Sequence, residues 1–173
     1  MKVIKLNLSQ SSIQKAIEKL SNLQNDLEKS SKSITKELSD IAFNQVNKNY
    51  ASSPYTDGND DVSIISRGTE NHQKVGAEGS QVLYREFGTG TEGLNAPHPI
   101  KSKFKINGYN SGSKIKVNSN NGELFWIYKD SSGNKVYTQG IPAGKEVYNA
   151  ALILKGKKIS IIKKRVGEAL SKL

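Results

Sequence analysis

The chain has no cysteine, which excludes a disulfide framework, a thiolate zinc site and a cysteine nucleophile. It has only two histidines, His72 and His98, and no HxH or HxxxH spacing. A metal site would therefore need both rings plus carboxylates, and none is expected. No apolar stretch approaches the ~18–20 residues of a membrane span. The opening MKVIKLNLSQ is too polar and too short to read as a signal peptide. These absences lead to the expectation of a soluble chain made in the cytoplasm, with no membrane partner and no cofactor. No fixed-period repeat is visible. The apolar share is 35%, below the norm of about 45–50%, so one modest core with a wide polar periphery is expected. At 173 residues a single domain over 1–173 is the default.

Acidic side chains are also in short supply. There are 26 Lys and Arg against 16 Asp and Glu, a net charge of +10. The surplus is uneven. Residues 51–100 hold 3 basic and 7 acidic side chains, whereas residues 101–144 hold 7 and 2, and residues 145–173 hold 8 and 2. Such a balance suits an acidic partner surface or nucleic acid, and a chain with regions of opposite sign can also join to copies of itself.

Hydrophobic periodicity sets the expected elements. Residues 3–8 partly alternate and predict a short strand. Ser9, Ser11 and Ser12 are candidate N-caps for an amphipathic helix, marked by Ile13, Ile17, Leu20, Leu23, Leu27, Ile34, Leu38 and Ile41. Ser30–Ser31 is its weak point, so one helix with a bend or a helix pair is expected, ending before Pro54. Strands follow over 62–66 and 72–77, with turns at Arg67–Gly68 and Glu78–Gly79. Residues 80–86 suit a short helix or a strand equally. Residues 101–122 form a polar insert, in which 104–106 and 114–117 pair as a long hairpin with 107–113 as a mobile tip. The run LFWIY is a central strand with Trp126 buried. Residues 135–138 make a last short strand. A second amphipathic helix runs from Val147 to Leu170, interrupted at Gly156. Helices at both ends of a block of strands give an α+β fold, a mostly antiparallel sheet flanked by a long N-terminal and a long C-terminal helix.

Three patterns carry possible chemistry. Gly88-Thr89-Gly90-Thr91-Glu92-Gly93 has the outline of GxGxxG, but Leu94–Pro99 makes a poor helix start, so a glycine-bearing turn is expected rather than a dinucleotide site. Ser, His and acidic residues are present, yet no GxSxG elbow marks a hydrolase. The lysine-rich C-terminal helix, with Lys163 and Lys164, reads as a solvated face or as an attractor of DNA or an acidic surface, although no nucleic-acid motif accompanies it.

The string Leu83-Tyr84-Arg85-Glu86-Phe87-Gly88-Thr89-Gly90 resembles the EFGTG segment of tailed-phage head–tail joining or tail-completion proteins. Further features follow in the same order: His98–Pro99, a strand bearing Trp126, and Thr138-Gln139-Gly140-Ile141-Pro142-Ala143 running into the last helix. The chain departs from the family where an Arg-Pro-Phe-like stretch would follow Pro-Ala; here it reads Gly144-Lys145-Glu146-Val147-Tyr148. The resemblance implies a structural virion protein without catalytic activity, forming a homo-oligomeric ring, six-fold like the tail tube. It implies neighbours among the other neck or connector proteins and the tail tube protein, and DNA passing through the lumen. The motif and interface residues it points to are Glu86, Phe87, Gly88, Thr89, Gly90, Trp126, Gly140, Pro142, Lys163 and Lys164. A basic nucleic-acid-binding module and a small hydrolase stand as competing classes.

Overall fold

The computed structural model describes residues 9–53, 61–100, 115–117, 121–129 and 132–172. The element order is α1 (Gln10–Ala51), β1 (Ser63–Thr69), β2 (His72–Glu78), α2 (Val82–Phe87), α3 (Gly90–Asn95), β3 (Ile115–Val117), β4 (Leu124–Lys129), β5 (Lys135–Thr138) and α4 (Glu146–Leu170). The class is α+β, with the long helices first and last in the chain and antiparallel strands between them. The strand expected over 3–8, the 104–106 half of the insert hairpin, its 107–113 tip and the side chain of Trp126 lie outside what is described.

Ser9 caps α1: the Ser12 N–H lies 3.3 Å from its hydroxyl and 3.1 Å from its carbonyl. The helix then runs unbroken for 42 residues, so the chain forms one helix here and not a helix pair. A serine breaks a helix by competing for its backbone. Here the Ser30 hydroxyl donates to the Arg165 carbonyl of α4 instead, at 3.4 Å. At the far end the Ser52 hydroxyl takes up the carbonyls of Lys48 and Asn49, two of the acceptors a helix end leaves open. The α4 helix continues through Gly156 without interruption.

The β1–β2 hairpin closes later than expected. Arg67 and Gly68 stay in the strand and the turn is Glu70–Asn71. Cross-strand bonds hold the extension, with Gln73 Nε2 donating to the Thr69 carbonyl at 2.8 Å. The second sheet has the order β3-β4-β5, all antiparallel, and β4 is its centre. Trp126 sits opposite Ile115 on one side and Thr138 on the other. The 115–117 segment thus pairs with β4. The segment left open between helix and strand becomes helix α2 from Val82 onward, and the glycine string starts helix α3 rather than forming a turn alone.

The chain divides into two compact units. Unit 1 comprises residues 1–42, 66–75 and 152–173, and unit 2 comprises 43–65 and 76–151. In unit 1, α1 and α4 are tied by Arg165, whose guanidinium meets the Glu37 carboxylate at 2.7 Å, and by Lys172, 3.2 Å from Asp26. The Arg165 Nε and Nη2 both donate to the one Glu37 oxygen Oε2, and these bonds raise the Arg165 pKa further. Lys32 joins Glu70 at the hairpin turn, at 2.9 Å, raising its own pKa and lowering that of Glu70 through their hydrogen bond. Burial in this unit is thin. Its buried apolar residues among those described are Ala16, Ala42, Ile161 and Ala169. Exposed large apolar side chains are Ile13, Ile17, Leu20 and Leu27 on α1, and Leu152, Ile153, Ile159, Ile162 and Leu170 on α4. Unit 2 is centred on Val46, Tyr50, Phe87 and Ala150, and it also buries Arg85, Glu86, Thr89, His98 and Glu146.

The charge follows the same division. Unit 1 holds 16 basic and 7 acidic residues, net +9; unit 2 holds 10 and 9, net +1.

Candidate functional site

Unit 2 brings together the two strings that carry the family resemblance, although about 50 residues separate them. Helix α2 ends at Phe87 because Gly88, at φ 73°, turns the chain out of the helix while its N–H still bonds the Tyr84 carbonyl. Thr89 then lies against Ile141: its N–H donates to the Ile141 carbonyl at 2.8 Å, and its hydroxyl accepts the Ile141 N–H at 3.1 Å. The Gln139 carbonyl accepts from the Glu92 N–H and the Thr91 hydroxyl, at 3.2 and 2.9 Å. Such a clasp needs two backbones closer than side chains allow. A Cβ on Gly140 would run into the Thr89 carbonyl, and one on Gly88 would meet the Ala143 nitrogen at 2.6 Å. Gly88, Gly90 and Gly140 all have positive φ, so both the conformation and the space require glycine.

The clasp leads straight into the start of α4. The Arg85 and Glu86 carbonyls accept the N–H groups of Gly144 and Lys145. The Glu86 carboxylate accepts the first-turn N–H groups of Val147 and Tyr148, each at 2.9 Å. A helix N-terminus leaves such donors unpaired and carries partial positive charge, so a carboxylate from elsewhere in the chain satisfies both. Asn49 adds a bond from its side chain to the Glu146 carbonyl, at 2.7 Å.

His98 completes this arrangement. Its Nε2 lies 3.2 Å from Glu86 Oε1, and its Nδ1 accepts the Ile100 N–H at 3.3 Å. The N–H donor at Nδ1 assigns the ring proton to Nε2, which donates it to Glu86. Phe87 and Tyr148 pack on the ring at centroid distances of 4.6 and 4.9 Å. With both nitrogens engaged and the ring enclosed, His98 acts here as a brace and presents no free lone pair to a substrate. Beside it, the Arg85 guanidinium lies over the Tyr50 ring at 4.5 Å and donates to the Tyr50 carbonyl at 3.0 Å. Its Nε lies 3.8 Å from Glu146 Oε1, and both side chains are almost fully enclosed.

Of the residues singled out in the sequence, Glu86, Phe87, Thr89, Gly88, Gly90, Gly140 and Pro142 belong to this one region. Trp126 joins it through the backbone, since it pairs with Thr138 at the start of the second string. Lys163 and Lys164 do not belong to it; they lie exposed on the unit 1 part of α4. Sequence reasoning did not single out Arg85 and Glu146. Their signal was faint: a charged pair, Arg85–Glu86, placed inside the apolar stretch Val82–Phe87. Among the described residues no group of three or more His, Asp or Glu side chains is arranged to hold a metal ion. The outline of GxGxxG is not a dinucleotide cradle, because helix α2 and not a strand precedes it and α3 has only six residues. No helix is long and apolar enough to cross a membrane among the described residues. No family model, no curated protein and no solved structure matches the chain.

Proposed function

We propose that the chain is a structural protein of a tailed-phage virion, forming a ring at the head–tail junction that joins the tail to the DNA-filled head. The observation that supports this reading best is the clasp between residues 88–92 and 139–143. The two strings that resemble the neck family are braced against each other and against the start of α4, in an arrangement that positions backbone rather than presenting reactive groups. A ring subunit needs such rigidity, since small errors in orientation accumulate around a closed circle. Its neighbours are further copies, the adjoining connector proteins and the tail tube protein, with DNA crossing the lumen.

The test is a neck reconstruction together with counts of joined particles for Lys163→Glu with Lys164→Glu. Several copies around the tail axis, and fewer joined particles in the double variant, are expected. A single copy per virion would overturn the ring, and joining as efficient as wild type would remove those lysines from assembly.

A second reading, a nucleic-acid-binding module, is favoured by the +9 charge gathered in unit 1. It requires a mobility shift with duplex DNA that weakens steeply with salt.

A further inference from the structure

Unit 1 encloses little of its apolar surface among the described residues. Among its described residues one large aliphatic side chain, Ile161, is buried, while the nine on α1 and α4 named above are exposed. Among the described residues only the 66–75 hairpin end accompanies its two helices, too little to enclose apolar stripes on both, and the usual remedy is a further packed layer. Along α4, steps of about 100° per residue place Leu152, Ile159, Ile162 and Leu170 within an arc about 80° wide, turned away from Ile161. Lys155 falls within this arc and Lys163 at its edge, and both are exposed.

Charge selects the occupant. From Lys155 to Lys164 the helix carries five lysines and no acid. Six of the seven acidic residues of unit 1 already pair with basic side chains of the same unit. None of the five lysines has an acidic partner among the described residues. A second copy meeting this face with its own would set +9 against +9. Duplex DNA would take up the lysines but leave the isoleucines and leucines against phosphate. A protein surface with an apolar centre and an acidic rim uses both.

We propose that the exposed arc of α4 docks a different protein, through an apolar strip bordered by Asp and Glu side chains. This deepens the junction reading by giving the chemistry of the neighbour, and it rests on that reading only for where the neighbour sits.

The experiment uses the full chain and two designed helical peptides of about four heptads. Both have a leucine stripe; one is flanked by Glu and the other by Lys. Binding is followed by fluorescence anisotropy at low and physiological salt. The Glu-flanked peptide binds and the Lys-flanked one does not. Ile159→Ser with Ile162→Ser weakens binding about tenfold or more without altering the fold, since both side chains are exposed. Lys155→Glu with Lys163→Glu inverts the preference between the peptides. Three outcomes overturn the proposal: no binding of the Glu-flanked peptide; duplex DNA bound more tightly than the peptide and unaffected by the serine pair; or a free chain that sediments as a dimer dissolved by that pair. None of these bears on copy number in the virion, so the ring reading stands or falls separately.

Discussion

Glu86 Oε1 and His98 Nε2 lie 3.2 Å apart with both side chains shut away from solvent, and the same carboxylate holds the Val147 and Tyr148 N–H groups in α4's opening turn. Three donors therefore converge on one anion. Glu86→Gln preserves the shape but replaces one acceptor oxygen with an NH₂ that faces donors. It is expected to destabilise unit 2 by about 2–4 kcal/mol, the range for breaking a buried charged network. Urea unfolding measures this. A loss below about 0.5 kcal/mol would show that the carboxylate contributes little to the anchoring of α4.

Gly140 and Gly133 have nearly the same φ, at 91° and 83°, but different surroundings. Nothing lies within 4 Å of a Cβ on Gly133, whereas on Gly140 it would strike the Thr89 carbonyl and lie 2.9 Å from the Gly90 Cα. Alanine at either position meets the strain of positive φ, about 1–2 kcal/mol. Gly140→Ala is expected to lose at least about 2 kcal/mol more than Gly133→Ala, because the clasp must open. Equal losses in parallel denaturant melts would mean that the close approach of 89–90 to 140 is not needed for stability.

Gly156 gives the opposite sign. It lies inside α4, exposed, with no positive φ and with nothing within 4 Å of the place a Cβ would take. Gly156→Ala should therefore stabilise by about 1 kcal/mol through helix propensity and unfolded-state entropy. At this chain length that is a rise of about 2–4 °C in the melting midpoint. An unchanged or lowered midpoint would argue that the C-terminal part of α4 is not helical in solution.

What the sequence revealed of this architecture followed from local physics. The 3.6-residue stripes announce α1 and α4, and the aromatic run announces β4, because those patterns depend on neighbours three, four or two positions away. The continuity of α1 through Ser30 does not show, since it depends on an acceptor at Arg165, far along the chain. The hairpin turn departs from expectation for a similar reason: glycine suggests a turn at Gly68, but bonds from Gln73 keep that residue in the strand. In unit 2 the glycine strings draw attention, yet their meeting at Thr89 and Ile141 is tertiary. The pairing of His98 with Glu86 and the placement of Arg85 beside Glu146 likewise join residues that no periodicity links.

The last prediction concerns acid. Asp61 Oδ2 accepts the Ser80 N–H at 2.7 Å, and this bond, helped by the Ser80 side chain and the Gln81 N–H, holds the Asp61 carboxyl below its ordinary range. A carboxylate whose folded pKa is depressed contributes stability that is present above its unfolded value, near ~4, and is lost as pH falls through the folded value. Asp61→Asn keeps a carbonyl acceptor but no charge at any pH. Its melting midpoint should lie below wild type at neutral pH, and the two curves should converge as pH is lowered below about 4. Glu70, lowered by its hydrogen bond to Lys32, is expected to show the same convergence in Glu70→Gln. Salt separates the two. The Lys32–Glu70 pair is an exposed ion pair and is screened, so its contribution should shrink in high salt. The Asp61 bond is to a neutral N–H and should persist. Thermal scans across pH at low and high salt would decide it, and an Asp61→Asn deficit that stays constant down to the acid limit would contradict the assignment.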